Sequence, residues 1–282
     1  MPYHLSDIEL ERLLEEDVPY GDLTTSLLGI GGFPGKITFT SRERTVICCT
    51  EDAARILEKC GASISNCLPS GSTVDPGTCL LAAAGSAGSL HAGWKVALNL
   101  LEYASGIASR TSLIVERATA VQPHIAIVTT RKSFPGTKKI ALKAIMAGGA
   151  FPHRLGLSES ILVFRQHTAF LGGSDTIPET VSSMKVRLPE HKIVFVAETP
   201  KEALQIAASG VDIVQVDKIQ PGELAVLVKQ IRQTAPGVRI SAAGGINAEN
   251  AAAYAAAGVD ILVLSSVYFG KPADIAASIH PC

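Results

Sequence analysis

The sequence predicts an α/β protein, with a small and mostly antiparallel α/β layer of about 85 residues followed by a parallel sheet covered by helices. Three observations point there. Beyond residue 120, short apolar runs alternate with stretches of helical spacing, the strand-then-helix order that builds parallel sheets. In the first 85 residues the strand candidates are joined by short turns, which favours antiparallel pairing. A chain of 282 residues with 47% hydrophobic content is also long enough for a large core or two domains. Periodicity alone leaves open whether the parallel strands curl into a barrel or form an open doubly wound sheet.

The elements follow in order. Leu5 to Glu16 carries Leu5, Ile8, Leu10, Leu13 and Leu14 at roughly helical spacing, with Ser6 as N-cap and Glu9 three residues later, a capping-box pattern. This helix ends before Pro19, and in the turn Pro19-Tyr20-Gly21-Asp22-Leu23-Thr24-Thr25 the side chains of Asp22 and Thr24 are placed to tie down the loop. After Pro34-Gly35, the alternation from Lys36 to Thr40 puts Ile37 and Phe39 on one face of a half-buried strand. Thr45 to Cys49 is expected as its partner, Glu51 to Lys59 as a helix, and Cys79 to Ala84 as another strand. From Leu90 to about Thr119, Trp94, Ala97, Leu98, Leu101, Ala104, Ile107 and Ala108 recur on one helical face. Gly106 marks either a close contact or a break between two helices. Strands are then expected near 124–128, 160–164, 192–197, 212–216, 238–242 and 260–264, and helices near 138–147, 177–187, 200–209, 220–234, 247–257 and 272–279.

Bulk properties narrow the function. A net charge of −1 argues against a nucleic-acid or membrane-surface protein, because such proteins carry basic stripes over a whole binding face. No N-terminal stretch reads as a signal peptide, and no apolar run reaches the roughly 18 residues needed to span a bilayer, so a cytoplasmic location is expected. The six cysteines, at 48, 49, 60, 67, 79 and 282, form no CxxC pair and have no paired His spacing. Reduced, buried thiols are expected, not a zinc or redox centre.

Charge is nevertheless concentrated locally. Between Glu116 and Glu159 there is no Asp or Glu, while Arg117, Arg131, Lys132, Lys138, Lys139, Lys143 and Arg154 all fall inside. Arg131-Lys132 would leave the C-terminal end of the strand near 124–128, where ligands bind in parallel α/β folds. His153-Arg154 follows the glycines at 148 and 149, which permit close backbone approach. The reading is a pocket for a multiply anionic small molecule, with Lys138, Lys139 and Lys143 equally suited to a solvated helix face. Asp217 ends another apolar strand, a common place for a metal or hydroxyl ligand, or else a helix cap. Gly244-Gly245 ends a third strand and opens a helix, leaving backbone N–H groups for phosphate, and Ser265-Ser266 offers hydroxyls at the end of the last strand.

Two stretches carry a family resemblance. Thr130-Arg131-Lys132-Ser133-Phe134-Pro135-Gly136 and Gly148-Gly149-Ala150-Phe151-Pro152-His153-Arg154-Leu155-Gly156-Leu157 resemble, in order and spacing, two motifs of the quinolinate phosphoribosyltransferases, also called nicotinate-nucleotide pyrophosphorylases. Pro19 to Thr25 resembles the ModD branch, pyrophosphorylase-like proteins associated with molybdate transport. The resemblance runs from about residue 6 onward and implies an N-terminal α/β sandwich domain with its connecting helix over 1–115, then an incomplete, about seven-stranded α/β barrel over 116–282. It implies attack by the ring nitrogen of an acidic heterocycle on phosphoribosyl diphosphate. Lys132 and Mg2+ held near Asp217 would meet the charge growing on the diphosphate, and Arg131, His153 and Arg154 would hold the acceptor. Lys95 matches a family arginine that reaches a neighbouring subunit's site, so a homodimer or larger assembly with shared sites is implied. Gly244, Gly245, Ser265 and Ser266 match the region that binds phosphate, with Ala243 in place of a serine.

The sequence also departs from the family. In Leu162-Val163-Phe164-Arg165-Gln166-His167, Phe164 stands where the family has a lysine that grips a quinolinate carboxylate; Arg165, as the adjacent strand residue, would point to the opposite face. In Phe195-Val196-Ala197-Glu198, Val196 replaces the first of two glutamates, and Pro152 replaces an asparagine. These changes predict an altered acceptor pocket. A second reading is a protein that binds an oxyanion or nucleotide without turning it over, linked to molybdate transport. A third is a phosphate-binding barrel isomerase or decarboxylase using His153 and Asp217.

Overall fold

A computed structural model of the protein describes residues 4–172 and 176–282. The helices are α1 (Asp7–Asp17), α2 (Leu23–Leu27), α3 (Thr50–Lys59), α4 (Ala87–Thr119), α5 (Lys138–Ala147), α6 (Arg165–Thr168), α7 (Ile177–Arg187), α8 (Pro200–Ala208), α9 (Pro221–Thr234) and α10 (Ala251–Ala256). The strands are β1 (Pro34–Ser41), β2 (Thr45–Val46), β3 (Ser63–Cys67), β4 (Thr73–Val74), β5 (Cys79–Ser86), β6 (Ala126–Thr129), β7 (Phe151–Pro152), β8 (Ile161–Val163), β9 (Ile193–Ala197), β10 (Ile213–Asp217), β11 (Arg239–Ala243), β12 (Ile261–Leu264) and β13 (Ile275–Pro281). They divide into two compact units. One comprises the chain up to Ser112 with Ser133–Gly149 and Val267–Cys282; the other comprises Leu113–Lys132 and Ala150–Ser266.

The first unit is built on a four-stranded sheet in the order β13-β1-β5-β3. β1 is antiparallel to both neighbours, and its alternation buries Ile37 and Phe39 completely. The capping box of α1 is present: Ser6 Oγ accepts from Glu9 N at 3.4 Å, and the Glu9 carboxylate accepts from Ser6 N at 2.7 Å. Asp22 caps α2 by accepting from Thr24 N at 2.9 Å and Thr25 N at 3.2 Å. α4 is one continuous helix, so Gly106 is a contact and not a break. A Cβ there would stand 2.8 Å from the Lys271 carbonyl oxygen and 3.0 Å from Ala273 N. At Gly148 a Cβ would come within 2.5 Å of the Ala108 carbonyl oxygen on α4.

Several elements differ from expectation. Thr45–Val46 pairs with β4 and not with β1, whose two edges are already taken by β5 and β13. The stretch expected as a helix near 272–279 is strand β13, running from Ile275↔Ser41 to Pro281↔Gly35 in register. All six thiols are free, but only Cys48 and Cys49 are buried; Cys67 and Cys282 are exposed.

Two cations of the acid-free basic run, Lys139 and Lys143, are neutralised from far upstream. Lys139 Nζ lies 2.8 Å from Glu9, and the buried Lys143 Nζ lies 2.6 Å from Asp52 and 2.9 Å from Glu51. Lys143 and Asp52 have side chains 2% and 1% exposed, so this pair sits in the core and not on a solvated face. Burial pushes the Glu51 carboxyl up, but hydrogen bonds from Ser70 and the Lys143 ammonium outweigh it and bring the pKa to about 2.

The second unit is an incomplete α/β barrel: a seven-stranded, all-parallel sheet in the order β7-β6-β12-β11-β10-β9-β8, with no ladder joining β7 to β8. β9 and β12 are continuous apolar runs, β10 and β11 carry Gln215 and Ser241 at their centres, and the mid-strand residues of all four are largely buried, as a sheet covered on both faces requires. α8 is opened by Thr199, whose hydroxyl accepts from Glu202 N, with Pro200 at the first turn. No helix of the described residues is long and apolar enough to cross a membrane.

Replacing Lys143 by Met leaves the buried Asp52 carboxylate with only the Arg55 guanidinium at 3.5 Å and the Leu5 N–H at 3.4 Å, and a loss of up to about 3–5 kcal/mol is expected in urea unfolding. Glu51, with its carboxyl depressed from 4.5 to about 2, contributes stability that is present above about pH 4.5 and is lost as pH falls through about 2. An acid titration of Glu51→Gln should show a shallower decline across that window than the parent protein.

Candidate active site

Parallel strands all present their C-terminal ends on one side, and successive residues alternate between the two faces of the sheet. In the barrel unit those two rules bring Thr130, Glu198, Asp217, Ala243 and Ser265, each on the same face at its strand's exit, to the wall of one cavity of about 640 Å³. Arg131, Lys132, His153, Arg154, Phe164, Arg165 and Lys218 complete its polar and aromatic lining. Of the residues predicted from the sequence, Arg131, Lys132, His153, Arg154, Asp217, Gly244, Gly245 and Ser265 all line this cavity.

Local folding explains the placement. His153 N donates to the Thr129 carbonyl at 2.9 Å, so β7 runs beside β6 and carries His153-Arg154 to the exit from which Arg131-Lys132 leaves. The Thr130 and Ser265 hydroxyls are 2.9 Å apart, tying the ends of β6 and β12. Burial, with Arg154 as the lesser cause, holds the His153 pKa below its ordinary value, so the imidazole is neutral near pH 7 and free to accept as well as donate. The Arg154 pKa is lowered by burial and by the nearby Arg131 guanidinium. Among the described residues, Arg131, Lys132, Arg154 and Lys218 have no carboxylate within ion-pair distance. Such a cluster is stabilised by an anionic ligand.

Two predicted residues are not brought in. Lys95 is exposed on α4 in the other unit, its ammonium 5.8 Å above the Trp94 ring, and is not among the lining residues. The Ser266 hydroxyl donates to the Ile246 carbonyl at 2.7 Å and does not line the cavity. The helix after Gly244-Gly245 also begins later than expected, at Ala251. Asn247 and Asn250 side chains take up the N–H groups of Asn247, Glu249 and Asn250 before it.

Sequence reasoning missed two cations. Arg165 was expected to face away from Phe164 by strand alternation, but β8 ends at Val163 and Arg165 opens α6, so both side chains line the cavity. Its guanidinium lies 3.2 Å from Glu198. Lys218 follows Asp217 with a left-handed backbone (φ 62°), rare for a side-chain-bearing residue, and its N–H donates to the Ala243 carbonyl at 2.8 Å. An apolar strand ending in Asp-Lys was the one available signal.

Comparison with known proteins agrees with this architecture. Residues 22–105 match the family model described as quinolinate phosphoribosyl transferase, N-terminal domain, and residues 107–276 match the model described as its C-terminal domain. A protein of Rhodobacter capsulatus that bears the name pyrophosphorylase ModD is 42% identical over 248 residues, covering 88% of this chain and 95% of that one. One of the same name from Pasteurella multocida is 34% identical over 277 residues, 98% of each chain. The solved structure of nicotinate-nucleotide pyrophosphorylase from Ehrlichia chaffeensis superposes with a TM-score of 0.88 at 22% identity, covering 99% of this chain and 100% of that one.

Gly244 has φ +89°, and a Cβ on it would stand 2.5 Å from both Asp217 Oδ1 and Lys218 Cγ. Gly244→Ala should therefore displace the Asp217 carboxylate and weaken binding of phosphate-bearing ligands at least about tenfold in calorimetry, with the fold retained by circular dichroism.

Proposed function

From the premise that the chain belongs to the quinolinate phosphoribosyl transferase family, we propose that it transfers a phosphoribosyl group from phosphoribosyl diphosphate to a ring nitrogen of a heterocyclic acid. The observation that carries this reading is the convergence of Arg131, Lys132, His153 and Arg154 with Asp217 and the Gly244-Gly245 turn on one cavity. In the reaction the nitrogen lone pair forms the bond to C1 of the sugar as the C1–oxygen bond breaks, and the bonding pair leaves with diphosphate. The nitrogen is already a nucleophile, so no protein base is required. The transition state resembles an oxocarbenium ion, and negative charge grows on the departing oxygens. Lys132 supplies a fixed positive charge there, the largest kind of contribution a preorganised site makes. Arg131 and Arg154 take the acceptor carboxylate, and the neutral His153 orients it by a hydrogen bond.

Magnesium fits this donor set. Asp217 offers two carboxylate oxygens with no ion-pair partner among the described residues, while no cluster of three or more His, Cys, Asp or Glu side chains is present among them. One carboxylate plus substrate phosphates is the usual environment of this cation. When bound, it supplies positive charge at the leaving oxygens.

The altered acceptor pocket is supported by Phe164 and Val196, both of which line the cavity where a second carboxylate would need a cation or a donor. Those same two residues favour the second reading, a non-catalytic anion or nucleotide-binding protein connected with molybdate transport. Lys95 would act only across an interface between copies, so the transferase reading entails at least a dimer.

A diphosphate-release assay over pyridine and other nitrogen-heterocycle carboxylates tests the transferase, and calorimetric titration with phosphoribosyl diphosphate and magnesium separates it from the second reading. Lys132→Ala should lower release by about 10²–10³-fold. Turnover that survives this change overturns the assignment of Lys132, and absence of any heat at millimolar phosphoribosyl diphosphate overturns the transferase.

A further inference from the structure

The cavity lining holds a cation that the reaction above leaves without a task, Lys218. Its backbone is left-handed (φ 62°), a conformation that costs a side-chain-bearing residue free energy and that Gly or Asn fills at lower cost. A lysine facing only solvent has no use for that geometry. Here it turns the chain so that Lys218 N donates to the Ala243 carbonyl at 2.8 Å and the side-chain stem lies across Gly244. A Cβ on Gly244 would stand 2.5 Å from Lys218 Cγ and 2.9 Å from Lys218 N, so this glycine gives the lysine its room. The turn that Lys218 crosses has few acceptors left over. The Ala243 carbonyl is taken by Lys218 N, the Gly245 carbonyl by Asn250 Nδ2 at 3.0 Å, and the Ile246 carbonyl by the Ser266 hydroxyl at 2.7 Å. Among the described residues, by contrast, no hydrogen bond takes up the N–H of Gly244 or Gly245. Free N–H groups beside an ammonium without an ion-pair partner, with the neighbouring carbonyls occupied, favour an oxyanion.

We infer that Lys218 is a further substrate-contacting residue, whose ammonium, together with the N–H groups of the Gly244-Gly245 turn, binds a phosphate group of phosphoribosyl diphosphate. This rests on the transferase reading and adds to it a cation whose task neither Lys132 nor magnesium covers. A carboxylate is the poorer fit. Phosphate offers several oxygens to one ammonium and two N–H donors, whereas the planar two-point grip that suits a carboxylate comes from Arg131 and Arg154 and not from a lysine. The donor carries phosphate at two places, the ester on the sugar and the leaving diphosphate. Both present the same chemistry, so the test separates them. No bond forms or breaks at Lys218. Holding the ester, which does not change during transfer, its charge acts on KM; holding the leaving group, it acts on kcat.

The experiment measures, by calorimetry on the full chain, the affinities of ribose 5-phosphate, of diphosphate with magnesium and of phosphoribosyl diphosphate with magnesium, with nicotinate as a phosphate-free anion. Lys218→Asn should weaken phosphoribosyl diphosphate and at least one of the other two phosphate ligands about tenfold or more, and change nicotinate less than about twofold. Lys218→Arg, which keeps the charge, should recover most of that loss. Asn suits the left-handed backbone and keeps the N–H, so ligand-free Lys218→Asn should melt no lower than the parent, and lost binding is then not lost folding. A loss confined to ribose 5-phosphate assigns Lys218 the sugar ester; a loss confined to diphosphate assigns it the leaving group. The inference is overturned if the phosphate ligands bind Lys218→Asn as well as the parent. It is also overturned if nicotinate weakens as much as they do, since Lys218 then meets the carboxylate or acts only through its distant charge. Diphosphate release is scored apart. Lys218-dependent phosphate binding without release for any heterocyclic acid removes the transferase and leaves the contact standing; release with phosphate affinities unchanged in Lys218→Asn does the reverse.

Discussion

Parallel pairing in register constrains the barrel unit more than any single contact. Because β6, β12, β11, β10 and β9 run the same way with fixed partners, such as Asp217 beside Ala243 and Val263 beside Val128, every inward side chain belongs to a layer. Asp217 shares its layer with Ala243, Val263 and Val128, and the layer beneath it sets Gln215 between Ser241 and Val196. A slip of one residue in β10 would bury Asp217 against the helices and turn Val216 into the cavity. The chemistry of the site is thus held by the ladder, and only secondarily by hydrogen bonds among the site residues themselves. That accounts for the sparse bonding between them, with the Thr130–Ser265 and Arg165–Glu198 contacts joining strand exits and the remaining cations left for a ligand.

The two units handle positive charge in opposite ways. In the first, Lys143 is taken out of water and matched by Asp52 and Glu51 at hydrogen-bond distance. Removing one partner there leaves a buried charge, so the arrangement is rigid. In the second, Arg131, Lys132 and Arg154 are gathered without carboxylates and stay partly exposed, where solvent limits their repulsion until an anion arrives. One acid-free stretch of sequence supplies both, its middle to a core and its ends to a cavity.

What was legible in the sequence was local or repetitive. The Ser6–Glu9 capping box lies within one turn, and the alternation of strand and helix from β6 to β12 repeats often enough to be read without partners. The strand exits at Arg131-Lys132, Asp217 and Gly244-Gly245 were legible because motif and periodicity coincided. What failed was long-range. Lys143 and Asp52 are 91 residues apart, and nothing near either one announces the other. Ile275, Ala276, Ala277 and Ile279 suit a helix by composition, yet they complete a ladder with β1. Arg165 was misplaced by where β8 stops, a boundary set by the turn into α6.

The pairing of β13 with β1 carries a consequence for biogenesis. β1 is translated early, but its ladder partner emerges from the ribosome only after the entire seven-stranded sheet has been made. Throughout that interval one margin of β1 presents bare backbone groups to solvent, a template for foreign strands. The small sheet must therefore close late, across more than two hundred residues of intervening chain, and newly made protein would depend on chaperone shielding more than the matured molecule does.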